Sequence, residues 1–334
     1  MRIFVSQRGS RVTRGIVFAI LGALCWGFSG TCASVLTTQY EIEVWWIVCM
    51  RLMTAGPFFL AVALVADRRR LFSLVRNPRA MCHMAIYAVV GVIFVQYAYT
   101  AAIKFTNTGT ALLLQQLGLL IIMGYACLRA RRLPLRREGL ALFLALAGAV
   151  CIATQGAVTS LAISEVGLAW GVASAVALAG YNLIPIKLLD EYGSFITNGM
   201  SLTLGAVAVA PFVRPWETPV QMPFEGWFAL VGIIVFGTAM AYVLYLQGVK
   251  DAGPVKASLI AVLEPVSGMA FSAAWIGTPV TLWDALGCVL IGAMMILVSL
   301  PAKEPGNSSE AIGGAEASAV FTGDEASEPR TDSA

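Results

Sequence analysis

Ten stretches of about 20 apolar residues, each ended by charge, Pro or Gly, dominate this chain, and a run of that length is what an α-helix needs to cross a bilayer. They fall near residues 14–36, 44–66, 81–103, 107–128, 138–156, 165–187, 194–213, 225–247, 255–277 and 282–300. The other spanning structure, a β-barrel, alternates apolar and polar residues, whereas Leu140–Ile152 is apolar on every side. Only 12% of residues are charged, roughly half the proportion of a soluble domain. The expected fold class is an all-α membrane protein with ten transmembrane helices. Arg2, Arg8, Arg11 and Arg14 precede the first run as in a signal peptide, but the run is too long for an h-region, so it is expected to stay as helix one.

Lys and Arg gather on the cytoplasmic side of membrane proteins. With the N-terminus placed there, all of them fall on that side except Lys104, Arg214 and Arg51, the last of which lies inside the second span. Both termini are therefore expected in the cytoplasm, which requires an even number of spans. Beyond Leu300 the chain carries seven acids against two bases and almost no large apolar residue, and such a tail is expected to stay unfolded. The seven cysteines all lie in apolar stretches without Cys-x-x-Cys spacing, as small core residues rather than disulfides or metal ligands.

Two halves of five spans match at an offset of about 144 to 147 residues. Trp26-Gly27 pairs with Trp170-Gly171; at an offset of 146, Gly91 pairs with Gly237, Tyr99 with Tyr245, Lys104 with Lys250 and Met123 with Met269. Because five is odd, the second copy starts on the opposite side of the membrane, an inverted repeat of the kind that secondary carriers rock about a midplane site. The expected organisation is a basic N-terminus at 1–13, a first repeat at 14–156, a second at 157–300 and an acidic cytoplasmic tail at 301–334.

At these residues the chain resembles the drug/metabolite transporter superfamily in its ten-helix EamA-like branch. Gly22–Gly27 (GALCWG), Arg51–Gly56 (RLMTAG) and Leu263-Glu264-Pro265 carry the resemblance, which covers about residues 14–300. It implies two EamA-like repeats, a central cavity between them and movement of small metabolites. The chain departs from the pattern in having Gly118-Leu119 where the second repeat has Glu264-Pro265, and Gly277-Thr278 where Gly-Glu is frequent.

Polar groups inside the spans are the candidate site. Arg51 in helix two bears a charge that costs roughly 2.5–3.5 kcal/mol at a helix centre, so it should face the bundle or water. It reads as a counter-ion for a substrate carboxylate or phosphate, as a structural pair, or as a side chain snorkelling outward. Glu264 is the one acid deep in a span, and Pro265 beside it removes a backbone donor. Glu264 is a candidate for proton coupling or substrate contact, with a buried pair to Arg51 as the alternative. Gln96 and Tyr99 share one face of helix three, and their repeat partners on helix eight are Tyr242 and Tyr245. Gln115 and Gln116 in helix four, Tyr181 and Asn182 in helix six, and Trp26 and Trp170 complete a pocket suited to a modest, partly apolar organic solute. Interhelical hydrogen bonding is the structural alternative for each of them. Trp45 and Trp46 read as interfacial belt residues, and His83 as an interfacial histidine or, less simply, a proton relay.

No Gly-x-x-x-x-Gly-Lys-Ser/Thr loop is present to cradle ATP, and no His-Glu-x-x-His, aspartate pair or Gly-x-Ser-x-Gly elbow for an intramembrane enzyme. No cofactor, metal or nucleic acid is expected. The reading is a secondary transporter exporting amino acids or related small metabolites across a bacterial inner membrane, with protons as the candidate coupling ion. A non-transporting receptor or scaffold, or a nucleotide-sugar-like or drug exporter, are the alternatives.

Overall fold

The computed structural model describes residues 2–131, 133–156, 163–217 and 220–299, and among these every regular element is helical. The helices are α1 (Arg2–Ser34, continued by a π-turn at Val35–Gln39), α2 (Val44–Arg76), α3 (Pro78–Phe105), α4 (Thr108–Arg129) and α5 (Arg136–Thr154). After a connection come α6 (Glu165–Tyr192), α7 (Ser194–Val213), α8 (Phe224–Ala252), α9 in two pieces, and α10 (Leu282–Ser299). Nine of the described helices are long and apolar enough to span a membrane. The remaining expected span, 255–277, is divided into α9a (Pro254–Ile260) and α9b (Leu263–Trp275). The acidic tail lies outside the described residues.

The division of α9 has a twin. α4 is jointed at Gln116 and Leu117 as α9 is at Ala261 and Val262, giving α4a (Thr108–Gln115) and α4b (Gly118–Arg129). Both joints have 3₁₀ geometry, with ψ of −15° and −20° in α4 and −19° and −23° in α9. Each is closed by bonds three residues apart, Leu119 N–H to Gln116 O and Glu264 N–H to Ala261 O, both 3.0 Å. Pro265 is tolerated because it is the third residue of α9b, where a backbone N–H has no partner inside the helix.

The halves exchange their first helices. α1 lies along α8 and α9b of the second half, and α6 lies along α3 and α4 of the first. α2 packs on α7, and α5 on α10, so each major pairing joins one half to the other. Glycine permits the closest of these approaches: a Cβ at Gly248 of α8 would stand 2.8 Å from the backbone nitrogen of Ala19.

Two local expectations need correction. Trp46 is only 5% exposed, packed in a core with Ile42, Ile103 and Ile233, because α2 turns it toward α3 and α8 rather than toward lipid. Trp45 stacks on Tyr97 with ring centroids 4.2 Å apart. Cys82 is exposed rather than a core residue. His83 Nε2 donates to the carbonyl of Ile184 at 2.9 Å, beside the Pro185 break in α6.

Candidate functional site

Two helices widen at matched places. α8 is π-helical over Val235–Met240 and α3 over Tyr87–Ile93, and these segments contain Gly237 and Gly91, the glycines that pair in the repeat. A π-turn shifts the hydrogen-bond register by one residue and leaves groups on one face for other partners. Arg51 takes up those of α8. Its Nη2 donates to the carbonyl of Gly237 at 3.2 Å and its Nε to Thr238 Oγ1 at 3.1 Å. A side chain from the first half is thus held by the bulge of the second, and the cost of placing a guanidinium in the membrane is met by charge-assisted hydrogen bonds. Gly237 is required because α1 crosses at this point: a Cβ there would overlap Ser29 Oγ.

Ser29, Gln96, Tyr99 and Thr100 close around Arg51 and enclose a cavity of about 10 Å³. That is room for about one water, not for an organic solute. Gln96 Oε1 is buried there without a hydrogen-bond partner among the described residues, an acceptor left over in a site where most polar atoms are satisfied. Glu264 sits in the first turn of α9b, where the positive end of a half-helix favours an anion. Both Glu264 and Arg51 lie within electrostatic reach of Tyr99. Among the described residues, however, no ion pair joins Arg51 to Glu264; the guanidinium is spent on α8 instead.

A second polar cluster joins α6, α7 and α8. The Tyr181 hydroxyl donates to Asn198 Oδ1 at 3.1 Å and shares a bond with the Tyr242 hydroxyl at 3.0 Å, while the Tyr87 ring, at the start of the α3 π-segment, lies 5.7 Å from that of Tyr181. Asn198 follows Arg51 by 147 residues and occupies the equivalent place on α7. Trp26 leans on both Tyr242 and Tyr245, with centroids at 6.3 and 5.0 Å.

Four sequence candidates take other places. Trp170 packs against Tyr97, 5.1 Å away, beside Trp45. Asn182 turns back onto its own helix, donating to Leu178 O at 2.7 Å. Gln115 precedes the joint of α4 and Gln116 is part of it, Gln116 buried and Gln115 half-buried, and among the described residues no side-chain hydrogen bond ties either to the Arg51 cluster. Conversely, sequence reasoning passed over Ser29, Tyr87, Thr100, Asn198 and Thr238. The repeat held the signal for Asn198, as the mate of Arg51, and for Thr238, as the neighbour of Gly237.

Two interleaved halves of five helices, with a charged and hydroxyl-rich cluster buried where they cross, define a multi-pass membrane transporter. The chain belongs to the EamA-like transporter family, whose model matches residues 13–154 and again 165–300. It is 31% identical over 290 residues to a Salmonella typhimurium protein named uncharacterized inner membrane transporter YicL, covering 87% of this chain and 96% of that one. The uncharacterized transporter YyaM of Bacillus subtilis is 23% identical over 213 residues, with 62% of this chain and 69% of that one covered. A solved crystal structure, 20% identical, aligns with a TM-score of 0.57 over 85% of this chain and 96% of its own, a likeness of fold.

Proposed function

We propose that this transporter is a secondary carrier exporting small organic solutes, amino acids or related metabolites, across the cytoplasmic membrane by alternating access. The single observation that carries the reading is the crossing of the halves at Arg51, where a cation of one repeat rests on the widened helix of the other. Its cavity of about 10 Å³ is too small for such a solute, so the halves must part to admit one, and opening toward one face at a time is the motion an inverted repeat permits. Arg51 is then the counter-ion for a solute carboxylate, Gln96 supplies an acceptor, and Trp26, Tyr99, Tyr181, Tyr242 and Tyr245 supply amphipathic walls. Glu264, near the N-terminus of a half-helix and in no direct ion pair among the described residues, is the candidate proton carrier. The arginine-rich face is cytoplasmic, which puts both termini there.

A thermal-shift screen of the purified protein against amino acids, nucleosides, polyamines and sugars tests the reading, because a ligand of the native state raises apparent stability by mass action. Stabilisation by a carboxylate-bearing solute in wild type but not in Arg51→Ala is expected. Stabilisation by polyamines alone would remove the counter-ion role.

A further inference from the structure

α2 is longer than a membrane crossing requires. Val44 to Ala66 spans about 34 Å at 1.5 Å per residue, enough for a hydrocarbon core of about 30 Å. At that point the helix breaks direction, Asp67 standing at φ −152° and ψ 74°. Asp67 caps the segment that follows, its Oδ1 accepting from Arg70 N–H at 3.1 Å, and its other oxygen pairs with Arg70 Nε at 3.3 Å. The segment 68–76 therefore starts at the boundary between acyl chains and headgroups. Leu71 and Leu74 fasten it to the core, at 6% and 0% exposed. Phe72 and Val75 are left half-exposed among the described residues.

Between these anchors lies an open groove of about 600 Å³ lined by Arg68, Arg69, Phe72, Ser73, Arg76 and Asn77. Among the described residues Arg68, Arg69 and Arg76 form no ion pair, since the acid nearest in sequence, Asp67, is occupied by Arg70. Three free guanidiniums and a serine hydroxyl beside an exposed phenyl ring, at headgroup depth, match an anion carried on an apolar chain. Arginine's fork is suited to bidentate recognition of phosphate. We propose that this groove binds the phosphodiester headgroup of an anionic phospholipid, with an acyl chain lying along Phe72. Lipid bound here holds the far end of the helix that carries Arg51.

The test measures binding of phosphatidylglycerol and of phosphatidylcholine to the purified full chain in detergent, by native mass spectrometry and by thermal shift. Wild type is expected to prefer phosphatidylglycerol at least tenfold, and raised salt should weaken that preference. The triple variant Arg68→Gln/Arg69→Gln/Arg76→Gln should lose it, whereas Arg129→Gln/Arg131→Gln/Arg136→Gln, which removes equal charge from another loop on the same face, should keep it. Because all six arginines are exposed, both variants are expected to remain monodisperse. Equal binding of the two lipids, equal loss in both variants, or displacement of the lipid by inorganic phosphate at millimolar concentration would each overturn the assignment.

Discussion

Arg14, where the apolar span of α1 begins (Val12–Gln39), and Asp251 at the end of α8 meet across the repeat boundary, with Nη2 and Nε of the arginine 2.8 and 2.9 Å from one carboxylate oxygen. The arginine side chain is 55% exposed but that of Asp251 only 1%, and Gln247 donates to the same oxygen at 3.0 Å. This contact closes the arginine-rich end of the seam between the halves. At the other end of α1, Thr31 reaches the carbonyl of Gly268 and Ser272 on α9b through longer bonds of 3.3 and 3.4 Å.

Arg14→Gln leaves a buried carboxylate short of its cation and should lower stability by about 1–3 kcal/mol. Asp251→Asn relieves that charge. The double variant is expected to cost less than the sum of the two, by about 1 kcal/mol, because the residues act on one another. Thermal unfolding of the four proteins in one detergent reads the coupling; strict additivity would show that the pair does not tie the halves together.

Arg51→Lys keeps the charge and loses the fork. A lysine amine cannot reproduce the guanidinium's placement on Gly237 O and Thr238 Oγ1 together. Flux in reconstituted vesicles is expected to fall at least tenfold while the protein still purifies as a single species. Thr238→Val, which removes one of the two acceptors at nearly constant volume, should lower stability by about 1.5–3 kcal/mol, the range for hydrogen bonds to charged groups.

Gly237→Ala drives a methyl into Ser29 Oγ where α1 crosses the bulge of α8. Overpacking at such a site costs about 1–3 kcal/mol. Gly139→Ala, in α5 where a Cβ meets nothing within 4 Å, is the control and should be neutral or gain up to about 1 kcal/mol. A pair of melting curves compares them directly. Equal effects would contradict the close crossing.

Glu264→Gln preserves shape and hydrogen bonding but cannot carry a proton. The expected outcome is a folded protein whose solute flux no longer responds to an imposed pH gradient. An unchanged response in vesicles would remove Glu264 as the coupling residue.

Residues 255–277 show how far the sequence was legible. Their apolar content marks a crossing and Pro265 marks a weakness, but the joint at Ala261 and Val262 has no unusual residue of its own. Its twin at Gln116 and Leu117 lacks a proline altogether, so the joints follow from how α1 and α6 cross rather than from local propensity. The π-segments are equally silent, since Val235–Met240 reads as ordinary apolar helix. Arg51 and Glu264 were visible because charge is conspicuous in an apolar run. Their partners were not: a hydroxyl and a backbone carbonyl on another helix leave no mark in composition, and only the repeat offset linked Arg51 to Asn198.

The most direct measurement of the central claim is counterflow in liposomes containing only the purified protein. Vesicles loaded with unlabelled solute, chosen from the stabilising compounds, are diluted into a trace of the same solute carrying a label. Alternating access through the site predicts transient accumulation of label above equilibrium, strongly reduced by Arg51→Ala. Uptake no faster than in protein-free vesicles, or accumulation indifferent to Arg51, would contradict it.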